Sequence, residues 1–313
     1  EQGAAWFIAR VLGAMLRRGG LAKDAIDGLC LSSLTLAPDT AVAFTQHAGL
    51  SPRFLEWLPM GGASGVVALR RAARAVQAGD AEIVACIAGD TANATSFTDL
   101  IENFSSFSRD AVYPYGAGGP NASFALITDA YMRGFGATRA DFGRLCVAQR
   151  ANARRNPLAL LREPLTLEAY LAARPIAEPL HLFDCVMPCA GAEGFLVMRR
   201  ARAEALGLRG VRLLGAIERH NAYADDPVQM RGGWAIDREA LWAQAGVAPD
   251  AINLVQVYDD YPVIAFMQLE DLGFCGKGGA AAFVRDRDLT VAGDFPVNTG
   301  GGQLSAGQAG AAG

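Results

Sequence analysis

The chain has 313 residues, of which 51% are hydrophobic and 19% are charged. This composition is typical of a well-packed globular protein and excludes an intrinsically disordered one. The net charge of −4 leaves no basic surface for nucleic acid, and no apolar run reaches the roughly 18 residues that a membrane-spanning helix needs. We therefore expect a protein that works without nucleic acid and without a membrane.

The side chains that usually carry metal or covalent chemistry are few. Six cysteines are scattered mostly through apolar segments, which indicates reduced thiols in a cytoplasmic protein. Cys185 and Cys189 have the spacing of half a metal site, but no second pair or histidine cluster completes it. No metal centre is therefore predicted. A Schiff-base mechanism would have to use Lys23 or Lys277, because the chain has no other lysine.

The first ninety residues have the pattern of a mainly parallel α/β unit. A helix over 5–18 ends in Arg17-Arg18-Gly19-Gly20, a basic last turn followed by a glycine stop. The other elements predicted here are strands over 28–31, 54–60 and 82–88 and an alanine-rich helix over 66–77. The order strand, glycine turn, helix and strand predicts a crossover unit.

The rest of the chain divides into an irregular, mostly helical part and a second α/β part. Periodicity is lost between residues 90 and 120, where Thr95, Ser96 and Asn103 lie. Beyond this stretch we predict helices over 122–133, 139–155 and from 165, strands over 194–198, 211–217 and 252–257, and helices over 238–246 and 264–272. The second half thus repeats the β-α-β layout of the first without repeating its residues.

Two glycine-rich stretches follow predicted strands. Gly61-Gly62-Ala63-Ser64-Gly65 precedes the helix at 66, where free backbone N–H groups favour an anion. Residues 298–310 contain three adjacent glycines, which lack side chains and let the backbone approach a ligand closely. Each stretch is also compatible with a purely structural turn.

A third stretch, Val257-Tyr258-Asp259-Asp260-Tyr261-Pro262, stands directly after a predicted strand. Ligands bind at the carboxyl ends of strands in open α/β sheets, so Tyr258 and Asp259 are candidate site residues. A tyrosine at a strand end is otherwise more often a core residue whose hydroxyl has a hydrogen-bond partner.

All three stretches resemble signature blocks of the thiolases, especially of the sterol-carrier-protein-x and lipid-transfer-protein-like branch. Residues 298–309 are similar to the block Asn-x-x-Gly-Gly-x-x-x-x-Gly-His-Pro, with Gln308 at the histidine. Ala63-Ser64-Gly65 resembles the end of the family's Cys-Ala-Ser-Gly sequence. This match places Gly62 at the position of the family's nucleophilic cysteine. The third stretch resembles His-Asp-Cys-Phe, with Tyr258 at the histidine.

The resemblance implies a duplicated thiolase fold of the α/β class, layered α/β/α/β/α, with two mixed sheets and an inserted loop domain. The implied domains are residues 1–90 plus 189–203 for the N-terminal half, 91–188 for the inserted loop domain and 204–313 for an incomplete C-terminal half. Compared with the family, both the N-terminal and the C-terminal ends are expected to be truncated.

In lacking the nucleophilic cysteine, the chain resembles the lipid-transfer-protein-like aldolases of steroid side-chain breakdown. Their retro-aldol reaction splits a β-hydroxyacyl-CoA into a ketone and a shorter acyl-CoA, and it needs no covalent intermediate. The resemblance implies Tyr258 and Gln308 as catalytic residues, although these aldolases have a second tyrosine where Gln308 stands. Two alternatives stay open. One is a thiolase or acyltransferase, for example on an aromatic β-ketoacyl-CoA, with another nucleophile such as Ser64 or a cysteine. The other is a non-catalytic thiolase-like subunit.

The predicted site brings Gly62, Tyr258 and the loop 298–308 together in one thioester pocket. Its predicted substrate-binding residues are Gly62, Ala63, Ser64, Asp259, Asn298, Gly300, Gly301 and Gly302. No bound cofactor is expected, since coenzyme A enters as part of the acyl-CoA substrate. The resemblance also implies a homodimer and a small partner subunit with a zinc ribbon and an OB fold.

Overall fold

The computed structural model describes residues 2–93 and 113–312. The chain packs into two compact units, the first made of residues 1–93, 188–216 and 308–313 and the second of residues 94–187 and 217–307. In the described part of the chain, no helix is both long and apolar enough to cross a membrane. The stretch predicted to be irregular, around Thr95, Ser96 and Asn103, lies outside the described residues.

Helices dominate the chain, and strands are concentrated in the first unit. In chain order the elements are α1 (Ala4–Gly19), β1 (Gly28–Ser32), α2 (Ala41–Ala48), β2 (Phe54–Trp57), α3 (Ser64–Ala78), β3 (Ile83–Asp90), α4 (Gly119–Phe135), α5 (Arg139–Ala153), α6 (Leu167–Leu171), β4 (Pro175–Ala177), β5 (Leu180–His181), β6 (Gly191–Met198), α7 (Arg200–Ala205), α8 (Trp234–Ala245), α9 (Pro262–Asp271), α10 (Ala280–Asp286) and α11 (Gln303–Ala306).

The first unit is built on a four-stranded mixed sheet in the order β2-β1-β3-β6. β1 runs parallel to β2 and β3, and β6 runs antiparallel to β3. Successive residues of a strand point to opposite faces. Leu29 and Leu31 of β1 therefore belong to the core that includes Ile8 and Leu12 of α1, whereas Cys30 belongs to the core on the α3 side. β3 is buried along its whole length.

The core of the second unit is helical and aromatic. α9 is buried along its whole length and packs against α4, α5 and α10. The rings of Tyr131, Phe142 and Phe266 lie with their centroids 4.8–6.2 Å apart, and the Tyr131 hydroxyl donates to the buried carboxylate of Glu270. The two short strands β4 and β5 pair antiparallel. α9 follows the 257–262 stretch directly, so this core fixes one side of the candidate site.

The elements predicted for the first ninety residues are confirmed, although β2 is shorter than predicted and the helix α2 was not predicted. The predicted helices that correspond to α4, α5, α6, α8 and α9 are also confirmed, with ends displaced by a few residues. Periodicity identified the long helices, and turn residues around short apolar runs identified the strands. The eight-residue α2 is too short for a clear helical period.

Two strands predicted in the second half are wrong. Residues 211–217 form no strand, and Val211 is fully exposed. The stretch 252–257 makes one isolated parallel bridge, between Val255 and Val297. A strand is stable only when neighbouring strands bond to its N–H and C=O groups, and an apolar run does not reveal whether such neighbours exist. The described residues consequently form one mixed sheet and the β4–β5 pair instead of the two mixed sheets predicted.

The packing units group the chain differently from the predicted domains. Residues 94–187 and 217–307 form one unit, whereas the prediction separates an inserted domain, 91–188, from a C-terminal half, 204–313. The two units are defined by which residues contact each other. They do not test which segments belong to each half of the duplicated fold. The predicted domain division stays a prediction.

Candidate active site

The segment Val257-Tyr258 is held by amide side chains where a strand would be held by its neighbours. Asn298 accepts from the N–H of Val257 at Oδ1 (2.8 Å) and donates from Nδ2 to its carbonyl (3.0 Å). Gln268 of α9 bonds the backbone of Tyr258 in the same way: Oε1 accepts from the N–H (3.0 Å) and Nε2 donates to the carbonyl (2.6 Å). Both backbone polar groups of two successive residues are thus bonded by side chains.

The carboxylate of Asp259 is directed at the start of α11. It is 1% exposed and accepts hydrogen bonds from the backbone N–H groups of Gln303 (2.8 Å) and Leu304 (3.4 Å). Burial raises the pKa of this carboxyl to about 7, although its bonds with Gln303, Leu304 and Asn298 act in the opposite direction. Asp259 therefore titrates near neutral pH and orders the loop before α11.

The loop 298–302 is a tight turn fixed at both ends. Asn298 has a left-handed backbone with φ of 49°, and its carbonyl accepts from the N–H of Gly301 (2.8 Å). Asn152 of α5 donates from Nδ2 to the carbonyl of Val297 (3.0 Å). Gly300 is exposed at the tip of the turn, and its carbonyl accepts from another side chain of the second unit.

Two of the three adjacent glycines are required by packing within the second unit. Gly302 has φ of 62°, and a Cβ there would lie 2.0 Å from Oδ2 of Asp259. A Cβ on Gly301 would lie 2.5 Å from the Cβ of Ala153 in α5. Real Cβ atoms do not approach other atoms so closely, so neither position accepts a side chain without displacing a neighbour.

In the first unit, the turn before α3 holds the residues matched to the thiolase nucleophile. Gly62 is half-buried, Ala63 is exposed and Ser64 is buried at the start of α3. The Ser64 hydroxyl lies 2.6 Å from the carbonyl of Gly61 and 3.1 Å from that of Leu58, the two acceptors available to its proton. A serine nucleophile needs a base beside it to take this proton. The backbone contacts therefore argue against Ser64 as an alternative nucleophile.

Gln308 is fixed by its backbone in the first unit. Its carbonyl accepts from the N–H of Cys189 (2.8 Å), and the turn that follows packs against β3 and against the turn before α3. Asp90, at the end of β3, organises this region. One carboxylate oxygen accepts from the N–H of Thr35 (2.8 Å) and the other from the N–H of Ala311 (2.6 Å).

All six cysteines lie in the described part of the chain, and five of them have a raised thiol pKa. A hydrogen bond with Cys30 and, to a smaller extent, burial raise the pKa of Cys86 well above its usual range. Burial raises the pKa of the other four, which are Cys146, Cys185, Cys189 and Cys275. The nucleophile is the thiolate, whose formation needs a lowered pKa. Cys30 is 1% exposed within β1, so the surroundings of the thiols disfavour a cysteine nucleophile.

The structure distributes the predicted site residues over the two units. Those in the first unit are Gly62, Ala63, Ser64 and Gln308, and those in the second are Tyr258, Asp259, Asn298, Gly300, Gly301 and Gly302. Within each unit the predicted residues lie in segments that contact or adjoin one another. The convergence of the two sets in one thioester pocket stays a prediction.

Sequence reasoning missed two residues that organise these segments, Gln268 and Asp90. Gln268 was assigned to the helix 264–272 without a role, although a glutamine among apolar residues of a buried helix signals a polar contact. Asp90 ends the apolar strand β3, which is a comparable signal. Residues 2–93 and 113–312 contain no group of three or more His, Cys, Asp or Glu side chains arranged to hold a metal ion.

The fold and these segments are those of an α/β chain of thiolase type, and the place of Gly62 at the nucleophile position stays a prediction. Residues 218–313 match the model of the family described as "Thiolase C-terminal domain-like". The chain is 34% identical over 305 residues to a 17-hydroxy-3-oxo-4-pregnene-20-carboxyl-CoA lyase of Mycobacterium tuberculosis, covering 92% of this chain and 78% of the relative. It is 30% identical over 309 residues to a steroid side-chain-cleaving aldolase of Thermomonospora curvata, covering 93% and 78%.

The solved structure of an "Ltp2-ChsH2(DUF35) aldolase" superimposes with a TM-score of 0.82 and 28% identity, over 97% of this chain and 81% of that one. The chain therefore belongs to the thiolase superfamily, in the branch of the steroid side-chain-cleaving aldolases. The predicted family and the α/β fold class are confirmed, and the chain is an enzyme of the carbon–carbon lyase type found in this branch.

Proposed function

We propose that the chain cleaves a β-hydroxyacyl-CoA with a bulky, steroid-like acyl part into a ketone and a shorter acyl-CoA. The proposal is carried by the steroid lyase and aldolase relatives and is supported by Gly62, which the resemblance matches to the cysteine that forms the acyl-enzyme in thiolases. Ser64 is disfavoured as a substitute by its hydrogen bonds to backbone carbonyls, and the cysteines are disfavoured by burial or by a raised thiol pKa. A reaction without a covalent intermediate fits this site better than thiolysis does.

The retro-aldol reaction needs one base and a few fixed donors. The base takes the proton of the β-hydroxyl group, the oxygen forms the carbonyl of the ketone, and the Cα–Cβ bond breaks. Its electrons pass to the thioester as an enolate, which is protonated at Cα to give the shorter acyl-CoA. We assign the proton transfer to Tyr258 and a hydrogen bond to the substrate to Gln308. Gly62, Ala63, Ser64, Asp259, Asn298 and Gly300–Gly302 line or shape the proposed thioester site.

Product analysis separates this proposal from thiolysis. The chain, purified together with any subunit that accompanies it, is incubated with 17-hydroxy-3-oxo-4-pregnene-20-carboxyl-CoA, the compound in the relative's name, and separately with acetoacetyl-CoA, each with and without free CoA. We expect a steroid ketone and a shorter acyl-CoA from the first compound whether or not free CoA is present. Cleavage of acetoacetyl-CoA that consumes free CoA would refute the lyase assignment. Binding of both compounds without turnover would favour a non-catalytic subunit.

We also propose a homodimer and a small partner subunit with a zinc ribbon and an OB fold. The partner is supported by the related aldolase structure, whose name joins ChsH2(DUF35) to Ltp2. For the dimer, β3 is buried within its own sheet, so pairing between copies would use an edge strand such as β2, where Leu55 is exposed. Sedimentation analysis at micromolar concentration tests the dimer, and full activity of the chain alone would remove the reason for a partner. The reduced thiols support a cytoplasmic location.

A further inference from the structure

Gln268 uses two of the three hydrogen bonds of its side-chain amide on the backbone of Tyr258. Its side chain is buried, with 6% exposure. Oε1 accepts from the N–H of Tyr258, while Nε2 donates to the carbonyl of Tyr258 and to that of Ile264 at 3.1 Å. One side chain therefore bonds both backbone polar groups of the residue to which we assign the proton transfer.

These two bonds hold the backbone from which the Tyr258 side chain projects. They hold the two peptide units on either side of its Cα, and no β-ladder does this, because the 252–257 stretch makes one bridge, at Val255. The phenol oxygen of a tyrosine lies about 6 Å beyond Cα, so a rotation of about 10° at Cα displaces it by about 1 Å, and such a misplacement costs about 10²-fold in rate.

We propose that Gln268 is a positioning residue of the lyase reaction, which acts through Tyr258 by fixing the direction of its side chain. This inference rests on the proposed function, in which the Tyr258 hydroxyl transfers the proton. Gln268 is carried by α9, which is buried along its whole length. The two bonds from Gln268 therefore tie Tyr258, which lies outside any sheet, to the buried core of the second unit.

The first test is Gln268→Met, which has nearly the same volume and removes both bonds to Tyr258. With 17-hydroxy-3-oxo-4-pregnene-20-carboxyl-CoA as substrate, we expect kcat to fall by about 10–10²-fold, with KM changed less than about threefold. The matched control is Gln149→Met. Gln149 is a fully buried glutamine of the same unit, and its amide atoms have no hydrogen-bond partner among the described residues. We expect this control to leave kcat unchanged.

A double-mutant cycle distinguishes positioning from a structural role. If Gln268 acts through the Tyr258 hydroxyl, Gln268→Met should change kcat less than about twofold when Tyr258→Phe is already present. A purely structural role predicts the same fold-loss in both backgrounds. The thermal unfolding midpoint of each variant is measured alongside, so that a loss of folded protein is not counted as a loss of rate.

Gln268→Glu keeps the test decisive if Gln268→Met does not fold. When protonated, the introduced carboxyl still accepts from the N–H of Tyr258 and donates to its carbonyl. When ionised, it faces two carbonyls with no proton to donate. The ratio of its kcat to that of the wild type should therefore approach one at low pH and fall as the pH rises. A ratio that stays well below one even at low pH, where the carboxyl is protonated and both bonds are kept, would overturn the proposal.

The outcomes separate this inference from the function on which it rests. If Tyr258→Phe lowers kcat while Gln268→Met does not, or if Gln268→Met costs equally in both backgrounds, the positioning role is overturned and the lyase assignment stands. If Tyr258→Phe turns over normally, both the proton-transfer assignment and the positioning role are overturned. If no ketone forms from the steroid thioester, the proposed function itself fails.

Discussion

Replacing Gly302 by alanine should destabilise the second unit strongly, and the structure supplies a matched control. A Cβ at Gly302 would lie 2.0 Å from Oδ2 of Asp259 and 2.9 Å from Nδ2 of Asn298. Gly246, at the end of α8 in the same unit, also has a positive φ, 68°, but a Cβ there would meet nothing within 4 Å. Gly246→Ala therefore introduces backbone strain without a steric clash, whereas Gly302→Ala introduces both.

The expected magnitudes follow from this difference. At Gly246 the left-handed conformation costs a residue with a Cβ about 1–2 kcal/mol. At Gly302 the combination of φ 62° and ψ 177° costs about 1–3 kcal/mol. In addition, the Asp259 carboxylate must move away from the N–H groups of Gln303 and Leu304, and hydrogen bonds to a charged group contribute about 1.5–3 kcal/mol each. We expect Gly302→Ala to cost about 4 kcal/mol or more, and about 3 kcal/mol more than Gly246→Ala.

The measurement is the free energy of unfolding from urea titrations followed by far-ultraviolet circular dichroism. It is made at pH 8, above the pKa of about 7 of the Asp259 carboxyl, so that the displaced group is mostly charged. Comparable losses for Gly302→Ala and Gly246→Ala would refute the argument, because they would show that the carboxylate gives way at no cost. A Gly302→Ala protein as stable as the wild type would refute the backbone argument as well.

Three further predictions concern the candidate site. Tyr258→Phe removes one hydroxyl and little volume, so kcat should fall by about 10²–10⁴ with KM nearly unchanged in steady-state kinetics; normal turnover would return Tyr258 to the role of a packed tyrosine. Gln308→Ala should lower kcat less in the same assay, because an amide carries no proton at neutral pH; a larger loss than that of Tyr258→Phe would contradict the assigned roles. The pKa of the Asp259 carboxyl in the folded chain is about 7, above its ordinary value of 3.8. The stability that the protonated carboxyl contributes is therefore fully present below pH 3.8 and is lost as the pH rises to about 7. Asp259→Asn should therefore flatten the fall in unfolding free energy across this range, and an unchanged pH slope would show that another group titrates there.

The local pattern of the sequence was sufficient for the parts of the fold that depend on near neighbours. The strand, turn, helix and strand from β2 to β3 are all visible in residues 54–88, because the helix is long enough to show its period and turn residues mark the ends of the strands. The motif positions Gly62, Tyr258 and Gln308 were assigned from short blocks as well, and their roles stay predictions. These assignments needed no knowledge of which distant residues meet.

The contacts that order the site could not be predicted because they join distant residues. Gln268 lies ten positions from Tyr258 and Asn298 lies 41 positions from Val257, and no local pattern signals either pairing. The glycines were predicted to let a backbone approach a ligand, whereas at Gly301 and Gly302 the structure shows contacts with the chain itself. The predicted strand 252–257 failed for the same reason, since its stability depends on neighbours that a local pattern does not show.

The bond between Asp90 and Ala311 has a consequence for how the chain is made. The two residues are 221 positions apart, so at about 5–20 residues per second the ribosome adds Ala311 roughly 10–40 s after Asp90. During this interval one oxygen of the Asp90 carboxylate can bond the early loop at Thr35, while the other has no N–H of residue 311 to accept from. All of the second unit is synthesised in the same interval. The turn at residues 310–312, which packs against β3, is therefore made only after the second unit, and until then the end of β3 lacks this contact.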